Sequence, residues 1–438
     1  MHSRRPLGFR RISWFPSVLS LIMLAGGCGT SLLPGDNNAS PARPDDGADG
    51  GAAQAGGLSG VDSIFGAALV AAMPAAGELS IEGAIQSRDE VVIYALGPAA
   101  VGDRVTIDVS GHDGLNTVAA LFDANGNLID ASDDRSYYAG KLDPYISRVI
   151  REDTPELYLG VAISRGTAFS SSSGRYDQGS FTALVRREPG AVVAAALPQV
   201  VYLNFEGGDQ VRIGMEPIED MRPFSAESIS GRFAGQTEYI VERLVEKMRQ
   251  DYAAYQVVLY DSKHDPVPAE QHSTLYFGNY SAAFLGLADN VDTGNASLVQ
   301  EAIVYSEDLA GFESLQPSAE EAAQALANVA SHELGHLLGL EHTAENQDLM
   351  ATAATARQIL EGDASFMRVR LQAAVFPLGW QDNPHLLTLN VGANPLAEGS
   401  ARMLLADPMP KASASWRDNM PDIPIVQCSR CGPRQAGH

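Results

Sequence analysis

Apolar and polar residues alternate in short runs between residues 61 and 187. Within Arg104–Val109, the side chains of Val105, Ile107 and Val109 fall on one face, the period-two pattern of a strand with one buried side. Val91–Leu96, Thr117–Phe122, Leu157–Ile163 and Ser180–Val185 are further short runs of strand-forming residues. Turn-rich clusters separate them at Gly111–Gly114, Asn125-Gly126 and Ser170–Gly174. Many short strands with regular turns predict an all-β sandwich over residues 61–187.

The pattern changes after a small-residue linker at 188–198. Val200–Gly208 reads as a buried strand ending in a turn. Ser228–Tyr252 has helical spacing, with Ile240, Leu244 and Met248 four residues apart. Tyr255–Tyr260, Ser273–Phe277 and Ala302–Tyr305 read as strands. Ala319–Gly339 reads as a long helix: Pro317-Ser318 supplies the start, acidic residues fill the first turn and Gly339 supplies the stop. The order strand, helix, strands, helix predicts an α+β unit over residues 199–382. Residues 29–60 are rich in Gly, Ala, Asp, Asn and Pro and read as a flexible tether, and residues 383–438 read as a low-order tail.

Composition narrows the function classes. Against 30 Lys+Arg stand 54 Asp+Glu, a formal charge of −24, which leaves no basic footprint for nucleic acid. Three cysteines, Cys28, Cys428 and Cys431, cannot staple the body of the chain, so both folded units must stand on hydrophobic burial. Residues 1–28 read as an export signal: four arginines precede the apolar run Ile12–Ala25, which is too short for a comfortable membrane span. Small residues then lead to Cys28. This resembles a bacterial lipoprotein signal, although Leu24 lies four residues before the cysteine where the usual pattern has three. The resemblance implies a lipid anchor on Cys28 and a cell-envelope location; ordinary cleavage would release an extracellular protein.

The chemistry is concentrated between His332 and His342. The string His332-Glu333-Leu334-Gly335-His336 places two imidazoles one helical turn apart on one face, aimed at a common ion, and imidazole nitrogen suits zinc. A catalytic zinc needs a third protein ligand and an open position. Gly339 can take the left-handed conformation that ends a helix, so His342 can turn back as that ligand. Glu333, beside the pair, is the candidate general base for a zinc-bound water. These residues together predict a zinc-dependent hydrolase, and the family resemblance they carry implies an endopeptidase acting on protein or peptide substrates.

His332–His342 followed by Asp348-Leu349-Met350 resembles the metzincin metallopeptidases. The resemblance covers about Gln199–Trp380 and implies a zincin fold with a mixed sheet and an active-site helix. It also implies a methionine turn at Met350 beneath the metal, and an edge strand at Ala302–Ser306 that pairs with extended substrate. The eight-residue step from His342 to Met350 resembles the matrixin-like branch. Ala351-Thr352 follows the methionine, so no tyrosine ligand is expected there. The first unit, through Gly102–Gly111, Ala120–Asp134 and Asp143–Ile163, resembles the bacterial pre-peptidase C-terminal domain, which implies a jelly-roll-like or sandwich module. Asp123, Asn125 and Asn127 offer the hard oxygens that calcium takes; the alternative is a hairpin turn on Asn125-Gly126, favoured by the lack of a distal acidic ligand. His264 and His272 could join a second metal or sit on the surface, as His385 and Glu341 are expected to do. Cys428 and Cys431 fit a local disulfide, half a zinc site or an inert tail, and Arg430-Cys431-Gly432 resembles the inhibitory segment of matrixin pro-peptides at the opposite end of the chain. A non-catalytic adhesion lipoprotein keeping a zinc-bound metzincin fold is the alternative to a peptidase.

Overall fold

The computed structural model describes residues 65–397, apart from 137–139, 166–176, 215, 219 and 282, together with 424–426. The signal with Cys28, the tether at 29–60, and Cys428 and Cys431 lie outside the described residues. Contacts divide the chain at residue 57, and every described residue lies in the unit 58–438. Among the described residues no helix is long and apolar enough to cross a membrane.

The first nine strands are β1 (Leu69–Val70), β2 (Gly77–Ile85), β3 (Val91–Ala99), β4 (Arg104–Gly111), β5 (Thr117–Phe122), β6 (Leu128–Ser132), β7 (Tyr145–Val149), β8 (Thr154–Ile163) and β9 (Gly179–Glu188). They form two sheets, ordered β2-β9-β4-β7 and β1-β3-β8-β5-β6. Val105, Ile107 and Val109 point inward as their alternation predicts, and pack with Leu121, Leu159, Val161, Phe181 and Val185. Strand β5 is buried at every position. Its second face, Val118, Ala120 and Phe122, is covered by Phe65 and by Leu371 and Phe376 from far along the chain, which is why its sequence is continuously apolar rather than alternating.

The second half begins with β10 (Gln199–Asn204) and a hairpin of β11 (Val211–Ile213) and β12 (Glu216–Ile218). Helix α1 (Thr237–Asp251), β13 (Val257–Asp261), β14 (Ser273–Gly278), β15 (Gly286–Ala288), β16 (Glu301–Tyr305) and helix α2 (Ala319–Leu337) follow. The sheet order is β13-β10-β14-β16-β15, parallel except for β15, which runs antiparallel to β16. This corrects the expectation for Ala302–Ser306: β16 is flanked on both sides, and the edge belongs to β15. Helix α1 starts at Thr237 rather than Ser228, because residues 226–228 and 231–233 form 3₁₀ turns and the Thr237 hydroxyl accepts from Ala226 N–H at 3.0 Å. Helix α2 starts as expected, with a reciprocal Ser318–Glu321 capping box.

Glu320 ties the two helices: it accepts from Arg243 Nε at 2.9 Å and pairs with Lys247 Nζ at 2.9 Å. The Arg243 hydrogen bond, then Lys247, hold its carboxyl down at about 2 against the opposing effect of burial. A depressed acid stabilises the fold above its unfolded value and loses that contribution as pH falls toward its folded value. Glu320→Gln should therefore cost about 1 kcal/mol at pH 7, after allowance for solvent screening. In denaturant melts the loss should fade between pH 4.5 and 2.

The remaining elements are β17 (Ala353–Thr355), α3 (Ala356–Glu361), β18 (Arg368–Arg370), β19 (Trp380–Asp382), α4 (Asn383–Val391) and β20 (Pro424–Val426). The low-order tail expected from residue 383 is corrected at its start. Residues 383–391 are helical, with Leu387 and Val391 inside the main core, and β20 pairs antiparallel with β17. Several contacts join the sandwich to this half. Phe122 and Phe376 meet edge to face at 5.5 Å, Trp380 N donates to Gly126 O at 3.0 Å, and Arg368 Nε donates to Asn127 Oδ1 at 2.7 Å. The Asn125-Gly126 loop thus serves as a turn that docks the second half. Asp123 Oδ1 accepts from the backbone N–H of Asn125 and Asn127, and Oδ2 accepts from Asn127 Nδ2. With those oxygens engaged inside the turn, the calcium reading of Asp123, Asn125 and Asn127 finds no support.

Candidate metal centre

Helix α2 carries His332, Glu333 and His336 into the interior, each fully buried. Gly339 follows with φ +92°, and a Cβ there would come within 2.6 Å of Asp292 O and 3.0 Å of Asn390 Nδ2. Only glycine suits that turn. The chain then returns and brings His342 to the other two. Nε2 of His336 lies 3.0 Å from Nε2 of His332 and 3.1 Å from Nε2 of His342.

The protonation of the rings decides what these contacts are. Nδ1 of His332 lies 2.7 Å from Leu349 O, and Nδ1 of His336 lies 2.7 Å from Leu340 O. A carbonyl only accepts, so in the neutral rings both protons sit on Nδ1 and both Nε2 atoms present lone pairs. Lone pairs aimed at each other across such distances repel unless a cation lies among them. A tetrahedral zinc spaces its ligand nitrogens by roughly 3.3 Å, close to what the side chains already show. The three histidines fit zinc, and the carbonyls are the outer partners that fix imidazole orientation at such sites.

Met350 lies beneath them, fully buried. A Cβ on Gly335 would fall 2.4 Å from its sulfur, so glycine inside the histidine string makes room for the methionine. The returning loop is braced by residues that sequence reasoning did not single out. Gln381 accepts from Glu341 N–H at 2.8 Å and donates to Glu341 O at 2.7 Å. Thr343 donates to Asp348 Oδ2 at 2.6 Å, Asn383 Nδ2 donates to both Asp348 oxygens, and Met367 N–H donates to Oδ1. Burial pushes the Asp348 carboxyl up while these hydrogen bonds oppose the shift.

The Glu333 carboxylate lies against the edge strand. A Cβ on Gly286 would sit 2.3 Å from Glu333 Oε1. Tyr305 on β16 is pushed up to about 12 by burial, with the charges of Glu216 and Glu333 adding, and stays a neutral phenol. Gly286→Ala should displace the carboxylate and leave the histidines in place. We expect about a tenfold or greater loss of turnover with zinc content unchanged by metal analysis; full activity would show that the carboxylate position is uncritical.

His264 and His272 do not come together. His264 Nδ1 contacts Asp261 at 2.7 Å, and its exposed ring neighbours Glu238 and Glu242, while His272 Nδ1 contacts Glu270 O. His385 pairs with Glu152 at the surface.

Residues 266–363 match the Matrixin family model. That stretch is matrixin-like. It contains all three histidines, Glu333 and Met350, in under a quarter of the chain. No curated protein matches the chain. Among solved structures, archaemetzincin from Methanopyrus kandleri is 16% identical over 39% of this chain and 89% of its own, with a TM-score of 0.24. The pre-peptidase C-terminal domain of a Bacillus anthracis collagenase is 14% identical over 28% of this chain and 94% of its own, with a TM-score of 0.19. Likenesses this loose bear on neither activity nor substrate.

Proposed function

We propose that this matrixin-like protein is an exported zinc endopeptidase. The observation that carries the reading is the convergence of three imidazole Nε2 atoms, two of them on rings oriented by backbone carbonyls, with Glu333 buried beside them. His332, His336 and His342 would hold the metal. When bound, zinc acidifies water and polarises the scissile carbonyl as a Lewis acid.

The chain's own residues do the rest. Glu333, as a carboxylate, accepts a proton from the attacking water and later delivers it to the leaving amine nitrogen, so one group serves as base and then as acid. The Gly286 edge keeps that carboxylate close to the strand against which an extended peptide would lie, since β15 presents the free side of the sheet. The export signal and Cys28 support a position at the cell envelope, with residues 29–60 as the tether of a lipid-anchored enzyme.

The test uses the full chain and an unfolded protein substrate. Cleavage should disappear with a zinc chelator and return when zinc is restored. Proteolysis indifferent to the chelator, or none on any of several unfolded substrates, would overturn the reading.

A further inference from the structure

The end of the metal-bearing helix is held by groups from distant parts of the chain, and one series of these contacts begins in the sandwich. The last carbonyls of a helix lack partners within it, and at a buried end they need donors from elsewhere. On α2 the His336 carbonyl receives Gly339 N–H at 2.9 Å and Asp292 N–H at 3.0 Å. The Leu338 carbonyl receives Asn390 Nδ2 at 2.8 Å. Asp292 and Asn390 also wall the Gly339 turn, since Asp292 O and Asn390 Nδ2 are among the atoms that a Cβ on Gly339 would meet. This turn serves two of the three imidazoles. Leu340 O, one residue past Gly339, lies against Nδ1 of His336, and His342 follows two residues later.

Asn390 is itself held from the sandwich. It is buried on the last turn of α4. Its Oδ1 accepts from Arg151 Nη1 at 2.9 Å, and Arg151 Nη2 donates to the Leu389 carbonyl. Arg151 is half-buried in the connection between β7 and β8. A guanidinium only donates and a carbonyl only accepts, so Arg151 and Leu338 O together decide which way the Asn390 amide faces. The guanidinium also stands at the carboxyl end of α4, where the helix dipole favours a cation. The backbone adds a second tie, because Leu197 N–H donates to Asn390 O at 2.9 Å.

We propose that Arg151 is a positioning residue of the metal centre, acting from the sandwich through Asn390 on the Gly339 turn. The inference rests on the zinc reading of the three histidines. Arg151 holds the Asn390 amide, and the amide holds Leu338 O and one wall of the turn. The turn in turn sets Leu340 O against His336 and brings His342 back to the other two rings. His332 stands outside this series, because Leu349 O orients it. The sandwich is then part of the metal-binding unit, and its docking through Arg151 tunes how firmly the second and third imidazoles are held. Outer partners of this kind act on metal affinity without touching the ion.

The test uses the zinc-loaded full-length chain, with zinc affinity read by competition against a chromogenic chelator and ligand geometry read from the visible bands of the cobalt-exchanged protein. Arg151→Ala should weaken zinc binding about tenfold and alter the cobalt bands. Arg151→Lys keeps the charge at the end of α4 but loses the paired donors, and should fall between. Asn390→Ala should weaken zinc by a similar factor, and the double variant no further, because the two residues act in one series. Glu152→Ala removes a neighbouring contact between the same segments, Glu152 Oε2 with His385 Nε2 at 2.7 Å, and should hold zinc as the wild type does. Wild-type zinc affinity in Arg151→Ala, or an equal loss in Glu152→Ala, overturns the positioning role and leaves the zinc reading standing. A wild type that binds no zinc overturns both. Should Asn390→Ala not fold, the contrast between Arg151→Ala and Glu152→Ala decides alone.

Discussion

Glu333→Gln should yield a protein that folds, holds about one zinc per chain and loses peptide hydrolysis by about 10²–10⁴-fold. Glutamine matches glutamate in shape, so the contact with Gly286 and the burial on α2 persist. What disappears is the ability to take a proton. The imidazoles do not depend on Glu333, because Leu349 O and Leu340 O orient His332 and His336 and the turn at Gly339 delivers His342. The decisive comparison is turnover against metal content on one preparation. Turnover within tenfold of the wild type at full zinc would remove Glu333 from the role of base. Lost zinc would instead show that the carboxylate helps to build the metal site.

The metal centre was largely legible because its geometry is local. Two histidines four residues apart on a helix, a glycine that ends it and a third histidine three residues later lie within eleven positions: helical period brings the first two together, and the glycine turn returns the third. The groups that hold the returning loop were not legible. Asn383 reaches Asp348 across 35 positions, and Gln381 reaches Glu341 across 40; neither pair carries a periodic signature. The edge strand failed for another reason. Gly286–Ala288 is three residues long, too short to show alternation, so the metzincin resemblance placed the edge on Ala302–Ser306, a strand that the pattern does show.

The sandwich shows the same division. Strands with one covered face, such as β4, were plain from alternation. The continuous burial of β5 reports a contact with Leu371 and Phe376, more than two hundred residues away, that no local pattern encodes. The loop at 123–127 had two readings at the sequence level, and packing favours one of them: its backbone and Asn127 receive Trp380 and Arg368 from the second half of the chain.

Asp348→Ala should be the most destabilising single change among the groups that support the site. Its carboxylate accepts from the Thr343 hydroxyl, from Asn383 Nδ2 at both oxygens and from Met367 N–H, and the residue is 2% exposed. Removing it leaves three kinds of donor buried without an acceptor. Each such group costs about 1–3 kcal/mol, so the total should reach about 3–5 kcal/mol after partial relaxation. The loss should also reach the metal, because Thr343 directly follows His342, and its N–H donates to Met350 O at 2.9 Å. Releasing the Thr343 hydroxyl loosens the third imidazole while His332 and His336 stay fixed on the helix. Denaturant melts of the zinc-loaded protein should show the stability loss, and competition with a chromogenic chelator should show weaker zinc retention. Asp348→Asn keeps one acceptor and should fall between the two. If Asp348→Ala lost under about 1 kcal/mol and held zinc as the wild type does, the brace would be ornamental, and the position of His342 would have to come from Gly339 and Gln381 alone.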